Sequence, residues 1–221
     1  MSILTTSPIA PLLDRLFDEA EANAPWANPA FTGIPQEEIM RLMQSRTEYL
    51  HFYGEMRDYA LPVSRDTGKL LYMLARSMGA REIVEFGTSF GISTIHLAAA
   101  LRENGGGRLI TTEFEPSKLA RARDNLEAAG LADLVEFRAG DALETLGANL
   151  PDTVDMLLLD GAKALYPDVL DRVEPRLRPG ALIIADNADH CPDYLQRVRA
   201  AGSGYMSVPY GDDVELTMRL G

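Results

Sequence analysis

The stretch Ile83-Val84-Glu85-Phe86-Gly87-Thr88-Ser89-Phe90-Gly91-Ile92-Ser93 decides the fold. A short, mostly apolar run, Glu82 to Phe86, reads as a strand. It turns through Gly87 and Gly91 and continues into a helix from Ile92 to Leu101. The glycines permit a tight turn and let a ligand approach the backbone. The helix that follows offers free N–H groups to an anion. The spacing is G-x-x-x-G, with Ser at position 89, and not the dinucleotide pattern G-x-G-x-x-G. That disfavours a pyrophosphate and favours a cofactor with a carboxylate or without phosphate. On this motif alone, an ordinary strand-to-helix turn reads equally well.

The same alternation continues on both sides. A helix ends near Met78-Gly79 before the first strand. After the turn come strand Arg108 to Glu113, helix Pro116 to Ala129, strand Val135 to Arg138 and a short helix from Ala142. Strand Val154 to Asp160, helix Tyr166 to Leu177, strand Ala181 to Asp186 and a helix near Asp193 to Ala200 follow. Two strand-like pieces close the chain, around Met206 to Val208 and Val214 to Leu220. Short apolar strands alternating with helices imply a parallel sheet covered on both faces, a Rossmann-like α/β fold. Only Pro209 to Asp213 separates the last two pieces, too few residues for a crossover. They should pair antiparallel at one edge. Residues 1–60 read as a helical extension with a break at Ala24 to Pro35, and residues 61–221 as the α/β domain.

Composition bounds the function. The 221 residues are 46% hydrophobic and 24% charged, ordinary for a globular chain with a full core. A net charge of −12 argues against nucleic acid and anionic membranes as partners. One cysteine, Cys191, leaves no intrachain disulfide. There is no basic, apolar leader and no run of about 20 apolar residues. The chain reads as cytoplasmic.

Ligands of open parallel sheets gather beyond the carboxyl ends of the strands. Every parallel strand here ends in an acid: Glu85, Glu113, Asp141, Asp160 and Asp186. Glu113 suits ribose hydroxyls, or is a solvated acid before a helix. Asp141 could simply cap the helix beginning at Ala142. Asp160, Asp186 and Asn187 follow continuously apolar strands. Two carboxylates on neighbouring buried strands, about 4.8 Å apart, repel each other and resist desolvation. A hard divalent cation resolves that conflict, and an all-oxygen set suits Mg²⁺. The competing reading is a pair of helix caps. Lys163 stands beside them, one of three lysines (with Lys69 and Lys118) in a chain rich in arginine. A lysine can serve as a base when its pKa falls, as near a cation, whereas arginine cannot. Otherwise it is a surface lysine.

Together these residues resemble the cation-dependent, catechol or caffeoyl-CoA type O-methyltransferases, which use S-adenosylmethionine. The resemblance runs from about Pro62 to the C-terminus. It rests on Val84 to Thr94, on Asp160-Gly161-Ala162-Lys163 with Tyr166, and on Ala185-Asp186-Asn187. It implies a class I methyltransferase fold: a mostly parallel seven-stranded sheet with an antiparallel edge strand, helices on both faces and an N-terminal helical extension. Asp160, Asp186 and Asn187 would bind Mg²⁺, and Lys163 would deprotonate the substrate hydroxyl. Ser93 and the turn at Gly87-Thr88 would hold the methionine portion of S-adenosylmethionine, with Glu85 nearby. Glu113 would bind the ribose, Asp141 and Ala142 would lie against the adenine, and Val63 would touch the cofactor. The family's more usual acid between Asp160 and Lys163 is replaced by Gly161-Ala162. Residues 1–60 match weakly and would help choose the substrate or form a homodimer. Trp26, Phe31, Phe52 and Tyr53 are candidates for the pocket or for the core.

The implied reaction is metal-assisted methyl transfer to a hydroxyl of a small vicinal dihydroxy aromatic. The alternatives on the same fold are a nicotinamide-dependent oxidoreductase and a non-catalytic ligand-binding protein. The missing G-x-G-x-x-G counts against the first, and intact Asp160, Lys163, Asp186 and Asn187 against the second. Net charge and the lack of an Asn/Asp-Pro-Pro-aromatic motif disfavour a nucleic-acid methyltransferase.

Overall fold

The computed structural model describes residues 2–25, 31, 33–211 and 213–221. Among them, strands β1 (Glu82–Phe86), β2 (Arg108–Glu113), β3 (Val135–Ala139), β4 (Val154–Leu159), β5 (Leu177–Ala185), β6 (Tyr205–Tyr210) and β7 (Val214–Arg219) form one seven-stranded sheet. Its order is β3-β2-β1-β4-β5-β7-β6. The first five pair in parallel, and β7 runs antiparallel to both β5 and β6. The last two strands pair as the short connection requires, with β7 inserted between β5 and the edge strand β6.

The helices are α1 (Ile9–Ala22), α2 (Gln36–Met43), α3 (Tyr49–Gly54), α4 (Arg65–Ser77), α5 (Ile92–Glu103), α6 (Pro116–Ala128), α7 (Ala142–Thr145), α8 (Tyr166–Val173) and α9 (Pro192–Arg199). None of the described helices is long and apolar enough to cross a membrane. Strand residues alternate between two cores, because successive side chains leave opposite faces of a strand. Met156, Leu158 and Ile184 face a core built with α1, α4 and α5. Leu157, Leu159 and Ile183 face one built with α8 and α9. A sheet buried on both faces has continuously apolar runs, as Met156 to Leu159 of β4 and Ala181 to Ala185 of β5 do.

Helix α8 stops at Val173, short of the Leu177 that periodicity suggests. A 3₁₀ turn over Glu174–Arg176, with Pro175 in it, takes over. Leu177 opens β5 and pairs with Val154, with a register irregularity before Met156. Proline removes a donor that a continuing helix needs, so the helical pattern yields to the strand.

Helix α1 is held mainly by its apolar face, Ile9, Leu12, Leu13, Leu16 and Phe17. Arg65 at the start of α4 adds hydrogen bonds to Asp14 and Asp18 at 3.0 and 2.8 Å and lies over the Phe17 ring. Exposed ion pairs of this kind contribute little beside apolar burial. Phe31 and Phe52 belong to a small separate core with Met56 and Tyr59. Trp26 lies outside the described residues.

The chain steps from β1 to β2 and β3 on one side, then crosses to β4 on the other. The crevice opens where that order reverses, between β1 and β4. Leu157 of β4 is fully buried at this centre. Leu157→Ala is expected to cost about 2–5 kcal/mol, read as a lower urea midpoint with an unchanged slope.

Candidate functional site

The turn after β1 is shaped by close approach. Gly87 has φ 101°, and a Cβ there would stand 2.5 Å from the Asp160 carbonyl oxygen. Only glycine lets the loops after β1 and β4 meet this closely. Gly161 is constrained in the same way, since a Cβ there would run into the Phe86 ring. A side chain at position 161 would require the Phe86 ring to move, which restricts one of the two positions between Asp160 and Lys163.

Beneath the turn, Glu85 is fully buried and accepts hydrogen bonds from Ser93 Oγ at 2.6 Å and Thr94 Oγ1 at 2.7 Å. Thr88 Oγ1 pairs with Thr111 Oγ1 at 2.6 Å. Glu85, Thr88 and Ser93 thus brace the turn from below and line neither cavity described next. Burial raises the Glu85 pKa to about 7, against the pull of the Ser93, Thr111 and Thr94 hydroxyls.

Two cavities flank the crevice. One is a narrow slot lined by Gly87, Glu113, Asp141 and Ala142, with Phe114 and Tyr49. The other, of about 530 Å³, is lined by Val63, Lys163, Asp186 and Asn187, with Phe52 and Met56. Tyr53, Leu61, Asp160 and Gly161 border both, so the two share a wall. Nine of the twelve expected site residues line one cavity or the other, and Glu85, Thr88 and Ser93 act through the turn that they brace.

In the slot, Glu113 is 8% exposed, which rules out a solvated acid. It accepts from the Ser89 and Glu115 amides at 2.9 and 3.0 Å. Burial raises its pKa, while the Glu115 amide, Lys118 and the Ser89 amide lower it. Asp141 does cap α7, accepting from the Leu143 amide at 2.8 Å, and its other oxygen accepts from the Tyr49 hydroxyl. Capping and lining the slot are compatible, since the carboxylate has two oxygens.

The wall of the larger cavity carries the charge. Asp160 and Asp186 stand at the ends of adjacent strands, their amides continuing the ladder to Phe86 and Leu159 carbonyls at 2.9 Å each. Their carboxyls are close enough to share a hydrogen bond. Burial, joined by the neighbouring carboxylate, raises Asp186 to about 8, and burial raises Asp160 as well. Neither side chain caps a helix. Lys163 is 5% exposed and is no surface lysine. Its Nζ donates to Asp160 Oδ1 at 3.0 Å, Tyr166 Oη at 2.9 Å and the Asp186 carbonyl at 3.3 Å. Burial alone would push its pKa down, but Tyr166, Asp160 and Asp186 outweigh that and hold it well above the usual lysine value. The sequence reading of a lysine with a depressed pKa is thus reversed while its charge is matched only by these carboxylates.

One ammonium faces two buried carboxylates, and the Asn187 amide completes an oxygen-rich wall. Hard oxygen donors that lack a full countercharge fit a divalent cation such as Mg²⁺. Among the described residues, no group of three or more His, Cys, Asp or Glu is placed to hold a metal ion. The candidate set is therefore two carboxylates and one amide, leaving room for further ligands.

Tyr49, Leu61, Phe114 and Lys118 also reach the cavities and carry no site reading in the sequence. Of the residues read as pocket or core, Phe52 lines the larger cavity and Tyr53 borders both. The Tyr53 hydroxyl is buried without a hydrogen-bond partner, a condition that a bound water or ligand would relieve.

A family model described as a methyltransferase domain matches residues 84–188. A catechol O-methyltransferase of Niastella koreensis is 40% identical over 131 residues, 58% of this chain and 58% of the relative. Catechol O-methyltransferase B of Danio rerio is 32% identical over 79% of this chain and 68% of its own length. Among solved structures, an O-methyltransferase from Bacillus cereus in complex with SAH superposes with a TM-score of 0.67. It is 25% identical, covering 93% of this chain and 100% of that one.

Glu85 provides a test of this electrostatic picture. Its folded pKa lies above the unfolded value, so folding is favoured while it is neutral and loses that advantage as pH rises from 4.5 to about 7. Glu85→Gln cannot ionise. Relative to wild type it is expected to gain about 3 kcal/mol across that window, measured by urea unfolding at the two ends. A difference that does not change with pH would show that Glu85 titrates normally.

Proposed function

The chain belongs to the S-adenosylmethionine-dependent O-methyltransferase family, and from that premise we propose that it transfers a methyl group from S-adenosylmethionine to a hydroxyl of a small vicinal dihydroxy aromatic. The observation that carries the reading is the shared wall. Asp160, Lys163, Asp186 and Asn187 border a cavity for the acceptor, and Asp160 and Gly161 also border the slot for the donor. A methyl group can pass only where donor and acceptor cavities meet, and holding the two at near-attack distance supplies much of the rate.

Glu113 would accept the ribose hydroxyls, and Asp141 and Ala142 would lie beside the adenine. Gly87 lets the backbone come close to the methionine end, with Glu85, Thr88 and Ser93 holding the turn rigid from below. Asp160, Asp186 and Asn187 would hold the cation. Bound S-adenosylmethionine would supply an electrophilic sulfonium methyl, and a bound divalent cation would favour the ionised acceptor oxygen. Tyr166 and the Asp186 carbonyl fix the Lys163 Nζ. With Asp160 and Asp186 neutralised, their hold on the Lys163 ammonium would weaken; Nζ would first give up a proton to solvent, and the neutral amine would then take the hydroxyl proton. Val63, Phe52 and Met56 exclude water from the acceptor side. Residues 1–60 supply Phe17, Phe52 and Met56 to this cavity, which supports a part for them in acceptor choice. The matched segment spans only about 58% of the Niastella koreensis relative, so the activity is proposed for this chain on its own site.

The test is transfer of labelled methyl to 3,4-dihydroxybenzoate with Mg²⁺. Wild type should turn over. Lys163→Ala and Asp160→Ala should lose about 10²–10⁴ in rate with unchanged circular dichroism. Full activity in excess EDTA would sink the cation assignment, and retained activity in Lys163→Ala would sink the base. In a thermal-shift assay, S-adenosylhomocysteine should stabilise the protein and NADH should not; the opposite pattern would favour the nicotinamide reading.

A further inference from the structure

The acids that mark the site follow parallel strands, but β7 runs the other way. The residue that precedes β7, and not one that follows it, therefore stands at the same edge of the sheet. In the β5–β7 ladder Ala185 pairs with Glu215. Continuing that register two residues along each chain sets Asn187 opposite Asp213.

Two hydrogen bonds join them. The Ala188 amide donates to the Asp213 carbonyl at 2.8 Å. The Asn187 Nδ2 donates to Asp213 Oδ2 at 3.1 Å. Asn187 itself has left-handed backbone, φ 49° and ψ 43°, which asparagine tolerates better than most residues. Its backbone is thus turned out of the strand direction and held there by the hairpin that carries Asp213.

The choice of an acid matters. A side-chain amide has an oxygen end and a nitrogen end, and the two can exchange by a half turn. A carboxylate only accepts, so it can engage only Nδ2 and leaves Oδ1 as the free end. Oxygen is the end that a hard cation needs. The Asp213 charge also bears on both Asp160 and Asp186, which places it beside the same wall.

We propose that Asp213 is a positioning residue that fixes the Asn187 amide with its oxygen turned to the divalent cation held by Asp160 and Asp186. This rests on the cation reading of the proposed function. Outer partners of metal ligands orient them in this way, and losing one typically weakens binding by about 10–100-fold. Asp213 touches neither acceptor nor donor cavity, so it acts through Asn187.

Mg²⁺ binding is measured by calorimetry on the full chain in the presence of S-adenosylhomocysteine. Asp213→Asn keeps the size and the backbone bond to Ala188 but can donate to Asn187 Oδ1, which permits the flipped amide. It is expected to raise the Mg²⁺ Kd by about 10-fold, with the Kd for S-adenosylhomocysteine alone within about twofold of wild type. In turnover, the KM for Mg²⁺ should rise while kcat at saturating Mg²⁺ stays near wild type. In an Asn187→Ala background, Asp213→Asn should add little further loss, because both act through one amide. An unchanged Mg²⁺ Kd in Asp213→Asn, with normal binding by wild type, overturns this assignment and leaves the function standing. Losses that simply add in the double variant also overturn it. No Mg²⁺ binding by wild type overturns the cation reading and this assignment together.

Discussion

Two carboxylates largely shielded from water past the ends of adjacent strands, with a single ammonium beside them, set the terms for the rest of the site. Burying a charge costs free energy unless it is matched. Asp160 and Asp186 stand just past the ends of β4 and β5, after the buried runs Met156 to Leu159 and Ala181 to Ala185. Lys163 matches one charge, and the second is matched by raising Asp186 to about 8. This charge balance is what supports the proposed cation.

The surrounding fold serves this wall from both sides. Gly87 and Gly161 bring the loops after β1 and β4 together with no side chain between them. Glu85, Ser93, Thr88 and Thr111 form a buried polar layer that makes the turn stiff. Helix α3 closes the top, with Tyr49 bonded to Asp141 and Tyr53 reaching both cavities. Two cavities sharing one wall is what a transfer between two bound molecules requires. A protein that bound one ligand would gain nothing from the second cavity.

Much of this was legible in the sequence, for stated reasons. Strand β4 and the later part of β5 show as apolar runs because both faces are buried, and the acids show as interruptions at their ends. Glycine spacing after β1 separated the turn from dinucleotide sites. What was not legible depends on tertiary contact. Ser93 and Thr88 look like ligand contacts on the turn, but their hydroxyls are spent on Glu85 and Thr111. The direction of the Lys163 shift follows from three partners, of which Tyr166 and Asp160 are near in sequence and Asp186 is not. Asp213 carries no such signal, because it precedes an antiparallel strand instead of following a parallel one. Helix α8 ended early because Pro175 and the start of β5 overrode a continuing helical pattern.

Anomalous diffraction from a crystal grown with S-adenosylhomocysteine and soaked in Mn²⁺ tests the central claim most directly. One strong peak is expected, bounded by the side chains of Asp160, Asp186 and Asn187, with the thioether on the far side of the wall formed by Leu61 and Gly161. A well-occupied S-adenosylhomocysteine with no anomalous peak at those carboxylates would contradict it.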